Sequence, residues 1–264
     1  MRPNTFVVLA VTLFTSLLVT GSAQAQAAPL DPHVLVERAL DLTRSTSSYS
    51  QMSMTIQRPS WQRTSSLVAW TRGREDSLIR FTAPAKDAGN ALLKQGDKMW
   101  TYNPKLNRNI RLPSSMMSQS WAGSDFSYND LSRSDKYLRH YDLLLTEETL
   151  TAAEVDGEQI RTYTIDAIPK EDAPVVWGKE RMVIREDAVM LEVTYFDQSM
   201  LPVKRLVSLE IGEMGGRVMA TAMRMNNLEE PDTFTEVRYQ DIDFDIPLED
   251  RMFTVFALQS GQTP

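Results

Sequence analysis

The chain has no cysteine, only two histidines and no apolar run long enough to span a bilayer. Each absence removes a class of chemistry or architecture. Without cysteine there is neither a thiol nucleophile nor a disulfide, so burial alone must hold the fold. His33 and His140 stand in neither an H-x-x-x-H nor an H-E-x-x-H spacing, and no metal site is read from them. His33 belongs to a first helical turn at the surface, His140 to a connecting segment. There is no G-x-S-x-G elbow and no phosphate-cradling glycine loop. Basic residues are outnumbered, 28 Lys and Arg against 35 Asp and Glu, for a net charge of −7. That balance excludes nucleic acid, whose phosphates need a concentrated basic surface. It also excludes simple electrostatic attachment to anionic lipid.

The N-terminus is organised differently from the rest. Arg2 precedes an uncharged, largely apolar run over 6–19, which Ser22-Ala23-Gln24-Ala25 follows. A positive start, a short apolar stretch and a small-x-small end make a cleavable secretory signal. The run falls short of the roughly 20 residues a membrane-spanning helix needs. Cleavage is expected after Ala25, with Ala27 the other candidate. Residues 1–25 are then a signal peptide and 26–264 a single domain, large enough to be held by its core. No cysteine follows the apolar run to carry a lipid anchor.

Beyond the signal the texture is that of an all-β chain. Asp31-Pro32 with Leu35, Ala39, Leu40 and Leu42 predicts a short amphipathic helix, Asp31 its N-cap and Pro32 its first residue. From Tyr49 the period becomes two: Met52, Met54 and Ile56 alternate with Gln51, Ser53, Thr55 and Gln57. Similar segments follow at 64–72, 76–82, 91–94, 98–102 and 108–112, and again at 142–150, 159–168, 179–185, 190–196, 203–211, 217–226 and 233–244. Gly73, the 84–89 stretch, Gln95-Gly96-Asp97, Asn103-Pro104, Val155-Asp156-Gly157-Glu158 and Gly215-Gly216 punctuate them as turns. The pattern reads as roughly eleven strands in one strongly curved antiparallel sheet, an incomplete, half-open β-barrel, mainly β in class. Residues 113–141 break the rhythm, with helical turns expected over 114–121 and 129–139 around Ala122-Gly123-Ser124. A closing helix or turn over 247–258 carries Phe253 and Phe256.

Asp125, Asp130 and Asp135 lie in that irregular segment. Paired carboxylates can run glycoside hydrolysis, but Ser and Asn neighbours at this spacing suit helix capping and loop hydrogen bonds better. No enzyme, catalytic residue, metal or cofactor is expected. The unusual feature is apolar. Trp100, Tyr102, Met116, Met117, Trp121, Phe126 and Tyr128 crowd into one stretch, with Trp61, Trp70, Phe81 and Met99 upstream. Met116, Met117 and Trp121 sit among Ser114, Ser115, Ser118, Gln119, Ser120 and Ser124, the mixture suited to a lid that is apolar beneath and wet above. Unbranched methionine repacks around ligands of varying shape. A curved sheet with helices on its concave side can enclose a cavity for lipid. An acyl chain of about 15 carbons loses on the order of 12 kcal/mol in water, at about 0.8 kcal/mol per methylene. Some 450–500 Å² of apolar contact offsets that, at roughly 25 cal/mol per Å².

The run Trp100-x-Tyr102-x-Pro104, Arg108-x-Ile110, then Ser115-Met116-Met117-x-Gln119-Ser120-Trp121-x-Gly123-Ser124-Asp125-Phe126-Ser127-Tyr128-x-Asp130-Leu131 resembles the outer membrane lipoprotein-sorting protein family, a LolA-like group. The resemblance implies a periplasmic lipid-binding domain, an incomplete β-barrel covered by helices over an apolar cavity. It implies as cargo the acyl chains of lipoproteins or another lipid, as donor an inner-membrane exporter of ABC or RND type, and an outer-membrane acceptor. Trp70, Phe81, Trp100, Tyr102, Met116, Met117, Trp121, Phe126 and Tyr128 are the cavity or lid candidates. No local motif matches the arginine that latches the lid in LolA. The reading from another class is a non-enzymatic accessory or sensor module docking on an RND-type lipid exporter. A Trp121→Asp variant is expected to weaken lipid binding and leave the fold largely intact.

Overall fold

A computed structural model describes residues 30–132, 136–155 and 158–260. The signal segment with both cleavage candidates, Asp135 and the turn at 156–157 lie outside the described residues. Helix α1, Pro32–Leu42, starts as its sequence predicts: the Asp31 side chain accepts from the His33 N–H at 2.9 Å and Pro32 follows it.

The strands are β1 Ser47–Arg58, β2 Trp61–Arg72, β3 Asp76–Ala83, β4 Ala91–Gln95, β5 Lys98–Asn103, β6 Arg108–Arg111, β7 Tyr141–Val155, β8 Glu158–Pro169, β9 Lys179–Arg185, β10 Met190–Phe196, β11 Pro202–Met214, β12 Arg217–Asn227 and β13 Phe234–Phe244. They form one curved, unclosed antiparallel sheet in the order β6-β5-β4-β3-β2-β1-β13-β12-β11-β10-β9-β8-β7. Thirteen strands replace the expected eleven. The expected count falls short of the alternating segments themselves, each of which takes its own place in the sheet. Register shifts, as between Gln51 and Met52, Ser66 and Leu67, and Tyr195 and Phe196, add local twist and bend the sheet.

This order dictates the path of the irregular segment. The chain steps outward from β1 to β6, returns inward from β7 to β13, and closes the middle by pairing β13 with β1. Strands β6 and β7 are therefore the two edges, and residues 112–140 must cross the sheet between them. They do so over the face that also carries α1, here called the inner face. That segment contains a 3-10 turn, Ser114–Met116, and two one-turn helices, α2 Tyr128–Leu131 and α3 Tyr137–His140.

Period-two alternation sorts the core into three clusters. On the inner face, Leu35, Val36 and Ala39 of α1 pack with Tyr141, Leu143, Ile165, Met182 and Ile184 at the β7–β9 side. Also inward, Met52, Met54, Ile56, Leu67, Phe81 and Met99 pack with Leu112 and Trp121 of the crossing segment. On the outer face, Trp70, Leu78 and Leu93 pack under the chain's last elements, a 3-10 turn Asp250–Phe253 and helix α4, Val255–Ser260, through Met252, Phe253 and Leu258. Buried Arg80 donates to the carbonyls of Ala257 and Leu258, each at 3.3 Å, which ties down α4. Its desolvation lowers the guanidinium pKa from the ordinary arginine value. Of the two closing phenylalanines, Phe253 is fully buried and Phe256 exposed.

Candidate functional site

The crossing segment folds on itself before it meets the sheet. Ser120 and Ser127 form a bridge, the Trp121 N–H donates to the Phe126 carbonyl at 2.8 Å, and Ala122 and Gly123 turn the tip with positive φ. Glycine suits the second of these positions, where a side chain would be strained. Ser127 and Asp130 then form a capping box at the start of α2. The Ser–x–x–Asp spacing thus serves capping, as the sequence indicates.

Both carboxylates also tie the segment to the sheet. Asp125 accepts from Arg58 of β1 at 3.0 Å and from the Thr235 hydroxyl of β13 at 2.6 Å. Asp130 accepts from Lys204 of β11, from the Ser127 N–H at 2.8 Å and from the Trp177 indole at 3.4 Å. Lys204 lies between the rings of Trp177 and Tyr195, 4.6 and 5.0 Å from their centroids, a placement that favours a cation. The Asp130 and Lys204 side chains are 3% and 10% exposed, so this pair is buried and specific in geometry. The tip is held as well: Arg58 donates to the Gly123 carbonyl at 2.9 Å and Arg63 to that of Ala122.

Beneath the segment a cavity of about 250 Å³ opens on the inner face. Met52, Leu67, Ala69, Ile79, Trp121, Phe126, Leu131, Met223, Val237 and Tyr239 form its apolar walls, Asp130 lines it from the roof, and Thr43, Arg44, Ser48, Ser50, Thr71 and Ser77 form a polar end. A second hollow of about 130 Å³ toward α1 shares Thr43 and Met223 with it. On the other side of Trp121 lies a third, of about 280 Å³, lined by Arg63, Phe81, Asp87, Asn90, Ala91, Thr101, Tyr102, Asn103, Ala122 and Tyr128. Trp121 therefore divides two spaces, its ring 5.5 Å from that of Phe81. Burial raises the phenol pKa of Tyr128 and Tyr239 above the ordinary value, with Arg44 pulling Tyr239 the other way. Both face these spaces as neutral donors.

The candidates named from sequence divide between the two faces. Phe81, Trp121, Met116, Met117 and Tyr128 gather in one inner cluster, and Phe126 joins the adjoining one beside α1. Trp70 and Trp100 belong to the outer cluster under α4. They occupy even positions of β2 and β5, whereas Leu67, Ala69, Met99 and Thr101 occupy the odd, inward ones. Tyr102 packs with the outer cluster and also lines the third hollow. Sequence reasoning missed Arg58, Lys204 and Thr235 as anchors and Met52, Met223, Val237 and Tyr239 as lining. Strand alternation marked the lining residues, but only the strand order reveals which parity faces inward. Among the described residues no three His, Asp or Glu are grouped to hold a metal, and no helix is long and apolar enough to cross a membrane.

The same architecture occurs in solved structures. A DUF1329 family protein from Desulfovibrio piger is 28% identical, over 87% of this chain and 100% of that one, with a TM-score of 0.75. A putative outer membrane lipoprotein-sorting protein domain from Vibrio parahaemolyticus is 21% identical, over 86% and 98%, with a TM-score of 0.74. A LolA superfamily protein from Nitrosomonas europaea is 17% identical, over 86% and 99%, with a TM-score of 0.70. No curated protein matches the sequence. A family model described as "uncharacterized protein" matches residues 73–260. The chain belongs to the family of that model and carries the fold of the LolA superfamily.

Proposed function

We propose that the chain is a periplasmic carrier that takes acyl chains of a lipoprotein or another lipid into the inner-face cavity and moves them toward the outer membrane. The observation that carries this reading is an apolar hollow roofed by a segment fastened to the sheet through Asp125 and Asp130. Such a roof opens by breaking a few charged contacts while the strands stay paired. The fold shared with a lipoprotein-sorting protein domain supports the cargo class. The signal-like N-terminus supports the compartment. An inner-membrane exporter of ABC or RND type as donor, and an outer-membrane acceptor, complete the proposal.

Neither the cavity of about 250 Å³ nor its neighbour of about 130 Å³ reaches the roughly 300–1,000 Å³ of ligand pockets. A whole acyl chain therefore enters only as residues 113–132 lift and the methionines repack. The binding is non-covalent. No proton transfer or bond cleavage is required of Asp125 or Asp130, which are engaged in holding the roof.

A fatty acid brominated along its chain tests the reading, because bromine quenches indole fluorescence on contact. The delipidated full chain is expected to show saturable quenching that is lost largely when Trp121 is replaced by phenylalanine. Absence of saturable quenching in the unaltered protein would contradict the carrier function.

A further inference from the structure

The hollow beyond Trp121 differs in chemistry from the one beneath the roof. Its wall sets two charged side chains, Arg63 of β2 and Asp87 of the β3–β4 loop, among Asn90, Thr101 and the Tyr128 ring. Those charges do not pair with each other. Arg63 spends one nitrogen on the Ala122 carbonyl, while its Nε is shut off from solvent with no acceptor. Asp87 Oδ2 is likewise shut off with no donor. Among the described residues neither the Asp87 carboxylate nor the Arg63 guanidinium has an ion-pair partner, so a ligand that carries both charges would complement the hollow they line.

We propose that this pocket holds the polar head of the cargo, and that the head is zwitterionic with an N–H-bearing ammonium, as in a phosphatidylethanolamine. The inference rests on the carrier reading and adds the head-group class to it. The ammonium meets Asp87, and the phosphate meets Arg63. Trp121 is the residue common to the two, lining both the acyl cavity and the head-group pocket. An amphiphile bound this way straddles the roof loop. Its two halves then occupy spaces that match them, one apolar and one charged. A quaternary ammonium has no N–H to give Asp87, and a glycerol head offers only uncharged donors, which bind a carboxylate more weakly than an ammonium does.

The test is displacement of a fluorescent fatty acid from the full chain. The competitors are phosphatidylethanolamine, phosphatidylcholine and phosphatidylglycerol with identical short acyl chains, and the free fatty acid. The ethanolamine lipid is expected to compete at about tenfold lower concentration than the other two phospholipids, a factor worth about 1.4 kcal/mol. Asp87→Asn is expected to erase that preference and leave competition by the free fatty acid unchanged. Equal competition by the three phospholipids in the unaltered protein, with fatty acid still bound, overturns the head-group pocket and leaves the carrier reading standing. A preference that survives Asp87→Asn overturns it as well. Failure to bind any acyl chain defeats the carrier reading and this inference with it.

Discussion

Replacing Asp130 by asparagine keeps the shape of the side chain that fixes α2 to the sheet and removes its charge. Lys204 would then be left buried against two aromatic rings and the Asp125 carbonyl, 3.5 Å away. Removing one partner of a buried ion pair costs about 3–5 kcal/mol. Asparagine still accepts from Ser127 or Trp177, so the effect belongs at the lower end. The pair joins the roof to the sheet and not strand to strand, so the loss falls on opening of the roof. About 3 kcal/mol corresponds to roughly a hundredfold more frequent opening, at 1.4 kcal/mol per tenfold. Hydrogen exchange reads it directly. The Tyr128 and Asn129 amides, which donate to the Gln119 and Met117 carbonyls, should exchange about a hundredfold faster. Amides in the β1–β2 ladder should change little. Adding Lys204→Met to Asp130→Asn removes the cation as well and should recover much of the loss. Uniform acceleration across β1, β2 and the roof would refute the latch, because the pair would then belong to global stability.

Other outcomes follow from the same geometry. Trp121→Asp does not separate binding from folding as expected from sequence: Trp121 is 7% exposed, and a buried carboxylate there should destabilise the whole domain, seen as a fall in Tm. Trp100→Ala should lower stability in urea while leaving acyl-chain uptake unchanged, since Trp100 packs on the outer face. Gly178→Ala would bring a methyl within 2.3 Å of the Asp197 carbonyl oxygen and should cost at least about 1–3 kcal/mol by denaturant titration. Burial alone would raise the Asp166 pKa, but the Arg181 hydrogen bonds and the charges of Arg181 and Lys179 outweigh it and lower the pKa. The carboxylate form therefore stabilises the fold above about pH 4, and that contribution is lost as the pH falls through the depressed value. In urea midpoints measured across the acid range, Asp166→Asn should flatten this loss.

Much of the sheet was legible because its signals are local. Segments 179–185 and 190–196 match β9 and β10 end to end, and the Asp31 cap with Pro32 fixed the start of α1. The site was less legible because it depends on topology. Alternation in β2 makes Trp70 and Ala69 look equally buried, and only the crossing of 112–140 over one face makes Ala69 a lining residue and Trp70 an outer one. The roof anchors were hidden for a similar reason. Lys204 and Arg58 stand in strands far from Asp130 and Asp125 in sequence, and each reads as an ordinary surface cation until the sheet is assembled. The crowding of Trp121, Phe126 and Tyr128 was visible in sequence. That Trp121 stands between two hollows was not.

The carrier account is tested most directly by native mass spectrometry of the protein purified gently from the cells that make it. It predicts a fraction of the protein with added mass equal to one lipid, dissociating on activation as an intact acyl-bearing molecule. A protein that appears only at its bare polypeptide mass, and stays so after incubation with phospholipid or fatty acid, would contradict it.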